Sequence, residues 1–143
     1  MTRIGFCVWI ALTLSACGGN DSPTSPSTPA PPALNSPSVT EVWENTLAVG
    51  AARFFSYSVG LNGTVNITLA SLTERGVESS AELGIGWGTP SGTGCSVSSP
   101  TLVRAGTEPQ VSTTAAPGIY CVRVSDPGNL TAPAAFRILI AHP

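Results

Sequence analysis

The chain has 143 residues, a formal net charge of −2, only 10% charged residues and no lysine. This length fits one domain plus targeting material, and the mild acidic balance excludes a basic surface for nucleic acid. Thirteen prolines and fifteen glycines favour turns and linkers over long helices.

Residues 1–16 have the pattern of an export signal peptide. The mostly apolar run from Ile4 to Leu14 is too short to cross a bilayer, because a spanning helix needs ~20 apolar residues. The run closes with Leu14-Ser15-Ala16-Cys17, which resembles the lipobox of bacterial lipoproteins. The resemblance implies cleavage before Cys17, a diacylglyceryl group on its thiol and a fatty acyl chain such as palmitate on the new amine. Ordinary secretory cleavage, with Cys17 as a bystander, is the alternative.

Residues 17–38 form the lipidated N-terminus and a linker. Ser, Thr and Pro nearly alternate here, and such a composition cannot bury a core, so we predict a disordered or polyproline II segment. It would hold a domain on the order of 60 Å from the lipid surface. By the same resemblance, Gly18 directs the protein to the outer membrane of a cell that has two membranes. We therefore expect a cell-envelope protein whose domain faces the exported side.

Residues 39–143 have the alternating pattern of short strands, which predicts an all-β fold, an antiparallel β-sandwich of about seven strands. Turn residues at 60–63, ending in Asn62-Gly63, predict a hairpin between the strands on either side. The predicted strands, from their apolar phases, are 39–44, 55–59, 65–69, 83–87, 120–124 and 136–140.

Two of the four cysteines remain once Cys7 and Cys17 are assigned to the signal peptide and the lipid. Cys95 and Cys121 form an even pair in a chain bound for an oxidising compartment, which predicts a disulfide; two free thiols are the alternative. Because Cys121 alternates with the apolar Tyr120 and Val122, we expect the bond to hold the Cys95 loop on the outside of a sheet.

The strand sequences resemble the bacterial pre-peptidase C-terminal domain over roughly residues 50–142. The resemblance implies a jelly-roll-like sandwich of the kind found beside secreted proteases. It is carried by Phe55-Ser-Tyr-Ser-Val59, Gly63-Thr-Val-Asn-Ile-Thr-Leu69, Leu83-Gly-Ile85, Pro117-Gly-Ile-Tyr120-Cys-Val-Arg-Val124 and Phe136-x-Ile-x-Ile140.

No catalytic or metal-binding constellation is evident in the sequence. The single histidine, His142, is predicted to be an exposed tail residue, and no other histidine is present to build a zinc cluster or a catalytic triad elsewhere. Glu74, Glu78 and Glu82 form the closest carboxylate cluster, but calcium requires six to eight oxygens, so we predict a solvated loop. We therefore expect no enzyme activity, no cofactor and no metal site.

The aromatic side chains leave one candidate ligand-binding residue. Tyr57, Trp87 and Tyr120 share the apolar phase of their strands, which favours core packing over a sugar-stacking platform. Trp43 is not assigned to the core by this argument and is the candidate for contact with a ligand.

Together these features predict a monomeric, lipid-anchored envelope lipoprotein with a non-catalytic binding or interaction module. Its expected partners are the membrane, through the anchor, and a polysaccharide or an envelope protein. A carbohydrate-binding module and an accessory subunit of a secreted hydrolase are the alternatives.

Overall fold

The computed structural model of the protein describes residues 38–143; the predicted signal peptide and most of the predicted linker lie outside this range. The described residues form ten β-strands in two antiparallel sheets that pack face to face. The predicted all-β sandwich is confirmed. The strands are β1 (Val39–Leu47), β2 (Ala52–Val59), β3 (Gly63–Glu74), β4 (Val77–Glu78), β5 (Leu83–Ser91), β6 (Gly94–Val97), β7 (Thr101–Val103), β8 (Val111–Ala115), β9 (Gly118–Ser125) and β10 (Ala134–His142).

The strand order is that of a jelly roll. Sheet A has the order β1-β10-β3, with β4 and β8 both on the far edge of β3. Sheet B has the order β2-β9-β5, with β6 and β7 both on the far edge of β5. The chain passes repeatedly from one sheet to the other, so the antiparallel pairs β1–β10, β2–β9 and β3–β8 are nested within each other. Such nesting is how a double-sheet sandwich joins distant strands without crossed connections.

The core lies between the two sheets and consists of the alternating apolar side chains that the sequence predicted to face inward. In β3 and β10 of sheet A, and in β5 and β9 of sheet B, every second side chain points inward, as the two-residue period of a strand requires. The exception is a β-bulge at Ala70 in β3, which moves the inward phase from Leu69 to Leu72. Removing these apolar side chains from water is the main stabilising contribution. The most deeply buried are Val65, Ile67, Leu69, Leu72, Leu83, Ile85, Val122, Val124, Ile138 and Ile140.

The predicted hairpin around residues 60–63 is wrong. β2 pairs with β9 in sheet B, whereas β3 pairs with β10 and β8 in sheet A, so this connection passes between sheets. A two-residue type I′ hairpin needs positive φ at both central residues, and neither Asn62 nor Gly63 has it. Arg75 and Gly76 do, with φ of 51° and 80°, and they join β3 to β4.

Glycines on the outer face of β5 let another part of the chain lie directly on the sheet. A Cβ at Gly86 would come within 2.9 Å of the Val97 side chain, and one at Gly88 would overlap the carbonyl oxygen of Ser96. The β5–β6 hairpin therefore curls over the outside of sheet B. The close backbone approach that glycine permits makes this packing accessible.

Candidate functional site

Cys17, the predicted lipidation site, lies outside the described residues. Two other sequence-predicted sites, the disulfide and Trp43, lie within them.

Cys95 and Cys121 form a disulfide, with their Cα atoms 5.9 Å apart. In the order of sheet B, β5 lies between β9 and β6, and two strand spacings amount to ~10 Å. The Cα atoms of Cys95 and Cys121 can lie closer than this because the pairing of β5 with β9 ends at Gly88. Beyond Gly88, the β5–β6 hairpin curls over the sheet and brings Cys95 towards β9. Cys121 is fully buried yet lies outside the core cluster between the sheets. The prediction that the bond holds the Cys95 segment on the outer face is confirmed.

Trp43, the candidate ligand-binding residue, is placed in the core. Its indole is only 7% exposed, stacks on Phe55 with ring centroids 5.8 Å apart, and meets Phe136 edge-on at 4.9 Å. Such offset and edge-to-face pairs contribute about 1 kcal/mol beyond area burial. A side chain held in this way stabilises the sandwich and offers almost no surface to a ligand.

The remaining aromatic rings cluster where β2, β5 and β9 lie side by side. The Trp87 Nε1–H donates to the Tyr57 hydroxyl at 2.8 Å, and the Trp87 ring stacks on Tyr120 at 4.8 Å. Burial raises the pKa of Tyr57 to about 12, although the bond from Trp87 partly offsets this. The predicted core role is confirmed for Tyr57, whereas Trp87 and Tyr120 pack against the core with part of each ring exposed.

The prediction that His142 is an exposed tail residue is wrong. The strand β10 continues to His142, which pairs with Val39, and the imidazole takes the inward phase with only 5% exposure. It lies 5.1 Å from the Tyr57 ring, and its Nδ1 is 3.1 Å from the carbonyl oxygen of Pro143. Its Nε2 has no hydrogen-bond partner among the described residues; Glu41 Oε1 lies 4.0 Å away.

Two carboxylates tie the loops together at one end of the sandwich. Asp126 is 6% exposed; burial would raise its pKa, but four backbone N–H groups donate to its carboxylate and hold the pKa below the usual value. Glu74 accepts from the Ser79 hydroxyl, from the hydroxyl and N–H of Thr131 and from the N–H of Ala132, which lowers its pKa to about 2. The donors to Asp126 are Gly50, Gly128, Asn129 and Leu130.

These contacts correct the prediction that the glutamate cluster is a solvated loop. Glu74 is bound by its neighbours, and Glu82 pairs with Arg104 at 3.4 Å, while Glu78 alone of the three is an exposed residue. Within residues 38–143, no group of three or more His, Cys, Asp or Glu side chains lies close enough to hold a metal ion.

The two lowered pKa values predict a loss of stability in acid. A carboxylate whose pKa is lower in the folded state stabilises the fold above its unfolded pKa of about 4. That contribution disappears as the pH falls from about 5 towards 2. We expect Glu74→Gln to lower the free energy of unfolding at pH 7 and to flatten its decline in this range. Denaturant unfolding at several pH values measures both.

Glu108→Gln is the control, because Glu108 is exposed on a loop and makes no hydrogen bond or ion pair with another described residue. It is expected to keep the wild-type pH profile. An unaltered profile in the Glu74→Gln variant would contradict the assigned role.

Two of the surface clefts of the described residues differ clearly in chemistry. The hydroxyl cleft, about 490 Å³, lies beside β3 in the gap between β4 and β8. Its polar lining is Ser71, Glu78, Ser79, Ser80, Arg104 and Thr107.

The arginine cleft, about 340 Å³, lies on sheet B between the β2–β9 pair and the tip of the β5–β6 hairpin. Its lining includes Arg53, Phe54, Thr93, Gly94, Cys95 and Arg123.

The arginine cleft was not predicted from the sequence, although a signal was present. Phe54 lies in the polar phase of β2, beside the inward Phe55 and before the outward Ser56 and Ser58. Single exposed apolar side chains are common on protein surfaces, so this signal gains weight only from the neighbours that the tertiary structure gives Phe54.

No helix that could cross a membrane is found in the part of the chain that the structure describes. No protein-family model, curated protein or solved structure matches the chain. Function is therefore inferred from the residues themselves.

Proposed function

We propose that the protein is a cell-envelope lipoprotein in which Cys17 carries the lipid anchor and the β-sandwich acts as a non-catalytic binding or interaction module. The single observation that carries the proposal is the cysteine placed directly after Leu14-Ser15-Ala16 at the end of a short apolar run. The resemblance of residues 50–142 to pre-peptidase C-terminal domains adds support for a module of secreted proteins.

The physical chemistry of the anchor favours stable membrane attachment. Each buried CH₂ group contributes ~0.8 kcal/mol, so one acyl chain binds reversibly whereas two or three chains hold firmly. The linker of residues 17–38, rich in Ser, Thr and Pro, would keep the folded domain away from the lipid surface. A disulfide between Cys95 and Cys121 suits the oxidising side of the membrane.

The binding role is supported by the distribution of polar side chains. The two clefts present Arg, Glu, Ser and Thr side chains on a rigid sandwich, which is the arrangement that positions polar groups for recognition.

Cys17→Ser is expected to release the protein from membranes into the aqueous fraction, because a serine hydroxyl does not accept the diacylglyceryl group through a thioether. The measurement is fractionation of cells by ultracentrifugation, with mass spectrometry of the N-terminal peptide of the wild type. The wild-type peptide should begin at an acylated Cys17.

Ser15→Ala is the matched control, since alanine keeps a small residue at the same position before the cleavage site, and it should remain in the membrane fraction. A Cys17→Ser protein that still pellets with membranes, or a wild-type N-terminus without acyl groups, would refute the anchor.

A further inference from the structure

The strands of sheet B carry a net positive charge, whereas the other described residues carry a net negative charge. These five strands contain Arg53 and Arg123 and no acidic residue. Neither arginine has a carboxylate within 4 Å among the described residues, whereas Arg104 pairs with Glu82 and Arg137 with Glu44. All seven carboxylate side chains of residues 38–143 lie in sheet A or in loops: Glu41, Glu44, Glu74, Glu78, Glu82, Glu108 and Asp126.

An exposed phenyl ring lies beside this charge. Phe54 is 44% exposed and is the cross-strand partner of Arg123. The opposite wall of the arginine cleft is the tip of the β5–β6 hairpin at Thr93 and Gly94, which the disulfide of the adjacent Cys95 fastens to β9. The cleft is thus an open recess with Arg123 and Phe54 on one side and Thr93 and Gly94 on the other, and Arg53 lines its edge from the opposite strand phase.

From this combination we infer that the arginine cleft binds a carboxylate-bearing sugar residue of an acidic polysaccharide. Guanidinium groups match carboxylates with paired, charge-assisted hydrogen bonds, and an exposed aromatic ring packs on the apolar face of a pyranose. Because the backbone groups between β2 and β9 are already paired in the sheet, recognition on this side of the cleft comes from the Arg123 and Phe54 side chains. The inference rests on the proposed binding role of the domain but does not require the lipid anchor.

The charge balance disfavours more extended anionic partners. Residues 38–143 contain seven carboxylates and five arginines, so the domain as a whole is repelled by an anionic bilayer. Two arginines provide roughly 1 kcal/mol each at such a surface, and nucleic acid would require several phosphate contacts. A ligand that places one or two carboxylates in the cleft fits this charge distribution better.

Titration calorimetry of the full chain in detergent tests the inference, with tetragalacturonate as the probe. We expect binding of tetragalacturonate and at least a tenfold weaker interaction with its methyl ester, which keeps the sugar rings but removes the charge. Arg123→Gln and Phe54→Ser should each weaken tetragalacturonate binding by roughly tenfold, about the effect of losing one good contact. Arg137→Gln, an exposed arginine on the outer face of sheet A, should stay within about twofold of the wild type.

Three results would overturn the inference: no binding of tetragalacturonate to the wild type, equal binding of the methyl ester, or equal loss in the Arg137→Gln control. Tetraglutamate serves as the peptide probe, and tighter, Arg123-dependent binding of it would overturn the sugar assignment in favour of an acidic peptide. Because Arg123 and Phe54 are exposed, thermal unfolding of the variants should match the wild type. Membrane attachment through Cys17 is measured separately, so either proposal can fail without the other.

Discussion

Removing the Cys95–Cys121 disulfide is expected to lower the free energy of unfolding by about 3.5 kcal/mol. The bond joins cysteines 26 positions apart, and closing a loop of this length restricts the unfolded chain by about that amount in the chain-entropy model. For a domain of this size, the midpoint of thermal unfolding should fall by roughly 15 °C. Denaturant and thermal unfolding of the protein before and after reduction, with the thiols counted by mass spectrometry, measure the effect.

A Cys95→Ala/Cys121→Ala double variant should reproduce the effect of reduction, and Cys121→Ala alone should lose nearly as much, because either change removes the crosslink. Ser56→Ala is the control on the same outer face, since Ser56 is the exposed cross-strand partner of Cys121; a change within about 0.5 kcal/mol is expected. Equal stability of the oxidised and fully reduced protein would contradict the prediction.

Gly88→Ala is expected to destabilise the domain by about 3 kcal/mol or more, because the new methyl group overlaps backbone that cannot rotate away. The atom in its path is the carbonyl oxygen of Ser96 on the paired strand β6. Either the β5–β6 hairpin lifts from the sheet, or the disulfide that holds it becomes strained. Chemical denaturation reports the loss, and amide hydrogen exchange should show it concentrated in residues 88–97.

Gly60→Ala is the matched control, since a Cβ at Gly60 meets no atom within 4 Å and its φ is not positive. It should change the free energy of unfolding by less than about 0.5 kcal/mol, with stabilisation possible through the stiffer unfolded chain. If both variants are equally stable, the packing of the hairpin on β5 is looser than described.

The fold class and the inward faces followed from the sequence because they depend on local pattern. A strand repeats every two residues, so the alternation at Val65, Ile67 and Leu69 already identified the side chains that face the core. The same alternation placed Cys121 on the outer face. The structure confirms both predictions.

Partner choice between strands depends instead on contacts that are distant in the chain. The strands on either side of residues 60–63 looked like a hairpin, because both have one apolar face and Asn-Gly lies between them. An apolar face can be buried equally well in either sheet of a sandwich. The pairing of β2 with β9 and of β3 with β10 is decided by residues about sixty or more positions away in the chain.

The arginine cleft could not be predicted from the sequence for the same physical reason. Arg123 and Phe54 are neighbours only because β9 pairs with β2. The opposite wall of their cleft is formed by Thr93 and Gly94, because the β5–β6 hairpin packs on the sheet next to the disulfide. His142 likewise became a core residue through the pairing of β10 with β1. The sequence alone thus determined the all-β class and the inward faces of the main strands, and it predicts the anchor at Cys17. Which strands meet, and therefore which polar side chains share a surface, was decided by tertiary structure, because these contacts join residues far apart in the chain.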